Sequence, residues 1–287
     1  MFGGPKESDG AYASASGSSA GGTQQSSSES VSFLDQLSRS YPFFTLFGIP
    51  VRIHALFPAF IAVNALVSLQ YGAIGMLYAT LMYGPILFGT VYIHELGHCF
   101  AAKRVGGTVD HILLWPLGGL AYVAHSSGHR EDIFVAVAGP ATHFPMMVFW
   151  WVLKFAIKNT GSNFFYHMFE DAFEMNVVLL VFNLFLPAYP LDGGRVLVDV
   201  LMLQGYDADK SAKITAYVSI PIGLAIGAYG IYAFIVHSAM AMLTVFVACW
   251  MLSQAQQIYQ LSQEGRAREH PMFSRADAPQ AQTTNSV

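Results

Sequence analysis

Long apolar stretches, separated by short polar ones, dominate this chain after its first forty residues. A helix that crosses a bilayer needs about 20 mainly apolar residues. The stretches from Ala55 to Gln70, Ile74 to Ala102, Ile133 to Ile157 and Ala172 to Pro187 approach or meet that length. From Ile214 to Tyr259 there is no Asp, Glu, Lys or Arg. As one helix that run would be roughly 70 Å long at about 1.5 Å per residue. That is far more than a ~30 Å hydrocarbon core, so it predicts two spans with a break near His237 and Ser238. Between the second and third spans, Gly118-Gly119 with apolar flanks reads as a hairpin turn. The pattern predicts an all-α polytopic membrane protein of about six transmembrane helices, with a small β-hairpin or re-entrant segment between the second and third.

The two ends differ from this middle. Residues 7–31 are mostly Ser, Gly, Ala and Gln and cannot bury enough surface to offset chain entropy. The expected organisation is therefore a disordered tail over 1–41, a membrane-embedded domain over 42–262 and a polar tail over 263–287, with no appended soluble module. The start lacks the basic-then-apolar order of a signal peptide.

Composition agrees with lipid as the main solvent. Hydrophobic residues make up 54% of the chain and charged ones 11%, against a usual charged share of about 25%. A net charge of −4 gives no sign of a nucleic-acid surface. With six spans both termini share a side. That side carries twelve of the 14 basic residues, leaving only Lys154 and Lys158 opposite. Such a bias favours the cytoplasm or its organellar equivalent for both termini. Cys99 and Cys249 each lie in apolar runs and give no disulfide framework.

The second span carries His94-Glu95-Leu-Gly-His98. Residues four apart share a helix face, so both imidazoles can reach one zinc ion with Glu95 beside a water bound there. Ionisable groups this close together are costly in lipid and mark a functional site; the bland alternative is a pair of histidines capping the helix near the interface. The fourth span ends in Asn183-Leu-Phe-Leu-Pro187-Ala-Tyr-Pro190-Leu191-Asp192-Gly193-Gly194-Arg195. Its prolines disrupt helical hydrogen bonding, and irregular backbone at membrane depth persists only inside protein or beside a wet cavity. Asp192 there has a natural partner in a cation and supplies a third ligand, leaving a fourth position open. Alone, the same residues could be a helix-ending turn whose Asp192 pairs with Arg195. His125 and His129 are also four apart, but Ser126, Ser127 and Gly128 between them argue for a loop and against metal binding.

These paired motifs resemble the site-2 proteases, which are zinc intramembrane metalloproteases. Phe47-Gly-Ile-Pro-Val-Arg-Ile-His54, Leu114-Trp-Pro-Leu-Gly-Gly119-Leu and Ala138-Gly-Pro140 resemble the compact bacterial and plastid-type members. The likeness covers about residues 42–205. It implies zinc as cofactor, held by His94, His98 and Asp192, with Glu95 as general acid and base. It implies hydrolysis of a peptide bond in or near a transmembrane helix of a membrane-protein substrate. It also implies strands near the site that could pair with unwound substrate. Asn183 matches a family position associated with the active site, though an Asn there could instead satisfy backbone freed by the prolines. His143 stands where family members commonly carry an Asn thought to hold substrate or the oxyanion. It could donate in place of that Asn, bind zinc in a resting state, or pack as a structural histidine. A prokaryotic plasma membrane and an organellar (plastid) membrane both fit. Two other classes compete: a catalytically silent zinc- or helix-binding membrane protein, and a metal transporter. Oligomeric state is not written in these motifs.

Overall fold

The computed structural model describes residues 40–116, 118–124, 127–236 and 242–273. The expected disordered tail up to residue 39, the break near His237 and the last fourteen residues lie outside this range. The described chain opens on strands β1 (Ser40–Leu46) and β2 (Ile49–His54), joined by a tight turn. Phe47 and Gly48 both have positive φ, 53° and 72°, as a two-residue hairpin turn with native twist requires.

An apolar helical stretch follows. Helix α1 (Leu56–Ser68) ends in a 3-10 turn over Leu69–Tyr71, and α2 (Gly72–Leu81) folds back to pack against it. A π turn over Met82–Ile86 contains Pro85, which removes a backbone donor. Helix α3 (Leu87–Arg104) then carries the His94–His98 motif. Strands β3 (Thr108–Trp115) and β4 (Gly118–Ala124) come next.

The expected hairpin is present, but it is half of a larger sheet, so the fold is not purely α. The order is β1-β2-β3-β4, with β2 parallel to β3 and the other pairs antiparallel. The hairpin turn also lies before the two glycines, because Trp115 pairs with Gly118 and Leu114 with Gly119. Ile49, Val51, Ile112 and Leu114 bury one sheet face against Tyr92, Leu96 and Cys99 of α3. The sheet thus braces the helix that bears the motif, and β4 is left as an edge.

The expected third span is two helices, α4 (His129–Ala141) and α5 (His143–Ile157), divided at Thr142. Pro140 and Pro145 flank that division. Helix α6 (Asn163–Leu180) begins nine residues before the expected Ala172 and passes into a π turn over Val181–Phe185. Its polar first half is held by Lys154–Glu170 at 2.7 Å and by Tyr78–Asp171 at 2.5 Å. After irregular chain through the two prolines comes α7 (Asp192–Leu203), a helix the apolar pattern did not mark. Helices α8 (Ala208–Val236) and α9 (Met242–Gln263) pack side by side as the expected pair. Beyond them Ala267, Met272 and Phe273 are buried in a cluster with Val198, Ala212, Ala216 and Ile258.

Among the described residues, three helical stretches are long and apolar enough to cross a membrane: Leu56–Arg104, His129–Ile157 and Ala208–Val236. Their surfaces expose Leu66, Ile74, Val148, Phe155, Tyr229 and Ile235. Exposed apolar surface on this scale marks a membrane or partner face rather than a water-facing one.

Candidate metal centre

Helix α3 presents His94, Glu95 and His98 on its inner side, all buried. The irregular chain before α7 delivers Asp192 to the same place, 98 positions later in sequence. Two glycines permit that delivery. A Cβ on Gly193 would meet the Leu184 carbonyl oxygen at 2.7 Å, and one on Gly194 would meet the Ala188 carbonyl carbon at 2.5 Å. The loop therefore folds tightly over the first turn of α7. A carboxylate in that turn also lies at the positive end of the helix dipole.

The donor atoms converge. His94 Nε2 lies 3.1 Å from Asp192 Oδ2 and 3.1 Å from His98 Nε2. His98 Nε2 lies 3.3 Å from Asp192 Oδ1. Ligands about 2.05 Å from one zinc in tetrahedral geometry sit about 3.3 Å apart, so the spacing suits zinc. The hydrogen bonding points the same way. His98 Nδ1 is 2.7 Å from the Val135 carbonyl oxygen, which can only accept. Nδ1 must then donate, and in the neutral ring Nε2 is a bare lone pair facing a carboxylate. Two facing acceptors are unfavourable alone and favourable around a cation. Among the described residues this trio is the only cluster of three or more His, Cys, Asp or Glu side chains able to share an ion.

Two further glycines make room for the chemistry. A Cβ on Gly139 of α4 would collide with the His98 ring, and one on Gly119 of β4 would collide with the Glu95 side chain. Glu95 and the trio line a cavity of about 720 Å³ that also reaches Trp115, Asn183 and Trp250. Trp115 and Trp250 meet edge-on across it, with ring centroids 5.3 Å apart.

The other expected residues fall as follows. Asn183 lines the cavity, but its amide donates to the Leu179 carbonyl at 3.0 Å inside the π turn. His143 sits behind the trio, with Nε2 at 3.1 Å from His94 Nδ1. Arg195 is 3.7 Å from Asp192 and closer, at 3.1 Å, to Asp132. The turn-pairing alternative is thus the weaker contact of Asp192. His129 pairs with Asp199 at 2.8 Å, away from the trio, and His125 lies outside the described residues. The sequence reading passed over Asn176, Asp132 and the glycine cradles. For the first two a signal existed, since each is a polar residue within or beside an apolar helix.

Fold and site together give a mostly helical chain with three stretches able to cross a membrane and a two-histidine, one-carboxylate candidate metal centre at the wall of a cavity. A family model, Peptidase family M50, matches residues 84–168. A zinc metalloprotease of Methanocaldococcus jannaschii is 28% identical over 235 residues, 81% of this chain and 66% of that one. A putative zinc metalloprotease of Synechocystis is 31% identical over 206 residues, 65% of this chain and 52% of that one. The solved site-2 protease from Methanocaldococcus jannaschii matches with a TM-score of 0.57 and 27% identity, covering 77% of this chain and 95% of that one. The chain thus resembles peptidase family M50 over residues 84–168, and a zinc metalloprotease and a solved site-2 protease over most of its length. The chain spans just under two thirds of the archaeal relative's length and about half of the cyanobacterial one's.

Proposed function

We propose that this chain is a zinc-dependent endopeptidase that cuts a peptide bond in or near a transmembrane segment of a membrane-protein substrate. The observation that carries this reading is the meeting of His94, His98 and Asp192 beside Glu95 at the wall of a cavity. In it, residues 42–262 form the membrane-embedded domain, the apolar helices make about six crossings, and both termini share the cytoplasmic-equivalent side.

His94 Nε2, His98 Nε2 and an Asp192 carboxylate oxygen are the proposed ligands. With zinc bound, these residues would hold a Lewis acid able to polarise a carbonyl and acidify a water. Glu95, next to His94 on the same helix, takes the proton of the attacking water on its carboxylate and passes it to the leaving amine. Gly119 lets β4 lie against the Glu95 side chain, which fixes the distance between that base and anything paired along the strand. As an edge strand lining the cavity, β4 offers backbone donors and acceptors to an extended substrate segment, a strand-addition mode.

The test is Glu95→Gln in purified protein with a membrane-anchored substrate. Cleavage should fall by about 10²–10⁴-fold, the usual contribution of a positioned acid–base group, while bound zinc stays unchanged. Cleavage at the wild-type rate would remove Glu95 from the mechanism. The reading of a catalytically silent zinc binder predicts no cleavage from either protein.

A further inference from the structure

A buried chain of hydrogen bonds runs from a backbone carbonyl to the rear of His94, and each link fixes the next. Asn176 Nδ2 lies 2.8 Å from the Ala172 carbonyl oxygen. That oxygen only accepts, so the amide nitrogen must face it and Oδ1 must point the other way. Asn176 Oδ1 lies 2.9 Å from His143 Nδ1. An amide oxygen also only accepts, so His143 Nδ1 carries the hydrogen, and in the neutral ring His143 Nε2 is bare. His143 Nε2 in turn lies 3.1 Å from His94 Nδ1. His94 Nδ1 must then donate, which leaves His94 Nε2 without a hydrogen, facing His98 and Asp192. His143 and Asn176 are among the most completely buried side chains. Packing therefore holds the alignment, and water does not compete with it.

We infer that His143 and Asn176 are positioning residues that lock the tautomer and ring angle of His94, so that its Nε2 lone pair is presented to a metal. The inference rests on the proposed zinc site. It gives a role to His143, which borders the cavity but turns its Nε2 to the outer ring nitrogen of His94. It also gives His94 what the Val135 carbonyl gives His98: an outer partner on Nδ1. The two partners differ in kind. One is rigid backbone, and the other is a side-chain relay spanning α5 and α6, so His94 is the ligand whose orientation depends on how those two helices pack. Outer partners of this sort commonly govern metal affinity by about 10–100-fold.

The experiment uses the full chain in lipid nanodiscs. It compares wild type with His143→Leu, His143→Gln and Asn176→Leu. Zinc affinity is read by competition with a chromophoric chelator, and ligand geometry by the visible bands of the cobalt-loaded protein. Circular dichroism of the metal-free samples monitors folding. Both leucine variants should bind zinc about 10–100-fold more weakly and shift the cobalt bands. His143→Gln should stay close to wild type, because its amide oxygen reaches the depth of Nε2 and can accept from His94. If His143→Leu does not fold, Asn176→Leu tests the same relay from its far end. Folded leucine variants with wild-type affinity and bands would overturn the inference, and so would a glutamine variant as impaired as the leucine one. A wild type that takes up no zinc would overturn both the site and the relay, and so is distinguishable from failure of the relay alone.

Discussion

Gly139→Ala probes the metal centre without touching a ligand. The new methyl group would fall against Nε2, Cε1 and Cδ2 of His98, the last of these at 2.8 Å. Ordinary carbon contacts are about 3.5–4.0 Å, so even that more distant atom must retreat by about 0.7–1.2 Å. Retreat is obstructed, because His98 Nδ1 is tied at 2.7 Å to the Val135 carbonyl, one turn before Gly139 on α4. Metal–ligand distances tolerate about 0.2 Å, so the forced shift is several times too large. Zinc affinity should drop by at least the about 10–100-fold that a lost outer partner costs. Stability should fall by the about 1–3 kcal/mol typical of an overpacked core. Zinc per chain is measured after equilibration against graded chelator, with circular dichroism beside it. A Gly139→Ala protein of normal helicity that holds zinc as tightly as wild type would refute the argument.

Neighbouring contacts can be perturbed in the same way. Gly119→Ala pushes on Glu95 rather than on a ligand; it should keep zinc but lose most hydrolysis, and a zinc-depleted protein would contradict that split. Asp132→Ala removes the 3.1 Å partner of half-buried Arg195; it should cost about 1.5–3 kcal/mol, as for a hydrogen bond to a charged group, seen as a lower melting temperature, and an unchanged melt would count against the pair's role. His270 lies beyond α9, where its Nδ1 accepts from the Met272 N–H and its Nε2 meets the Tyr189 hydroxyl. Burial there pushes its pKa below the ordinary imidazole value. A released tail takes up a proton once pH drops below about 6.5 while the docked one resists it, so docking is at full strength above that pH and weakens below it. Proteolysis around residues 265–273 should be faster at about pH 5.5 than at about pH 7.5, and equal rates, corrected for the protease, would count against this.

The parts of the molecule legible in the sequence are those whose signal is local. Two histidines four apart on an apolar helix, and an Asp in a Pro-rich break, announce themselves because lipid makes polar groups expensive. The hairpin of β3 and β4 is also a local pattern. Its partner β2 was not visible, because pairing Val51 with Ile112 joins positions on either side of three helices. Those short strands read simply as the approach to the first span. Helix α7 was missed for a related reason: its amphipathic face is meaningful only against α4. The same holds for Gly119 and Gly139, whose lack of a side chain matters only once Glu95 and His98 are known to press on them. His143 was singled out from the sequence, but its hydrogen bond to Asn176, 33 positions away, is a non-local contact that the sequence does not display.

The open edge of β4 has a consequence for selectivity under the proposed function. An edge strand can pair only with chain that has given up its own helical hydrogen bonds. The melting of a few residues is thus charged to the incoming helix. Each glycine among them is about 1 kcal/mol easier to unwind than alanine, so two would favour one segment over another by about thirtyfold. If the proposed substrate class is right, discrimination of this kind would be exercised by the weak points of the target's helix before any side chain is inspected.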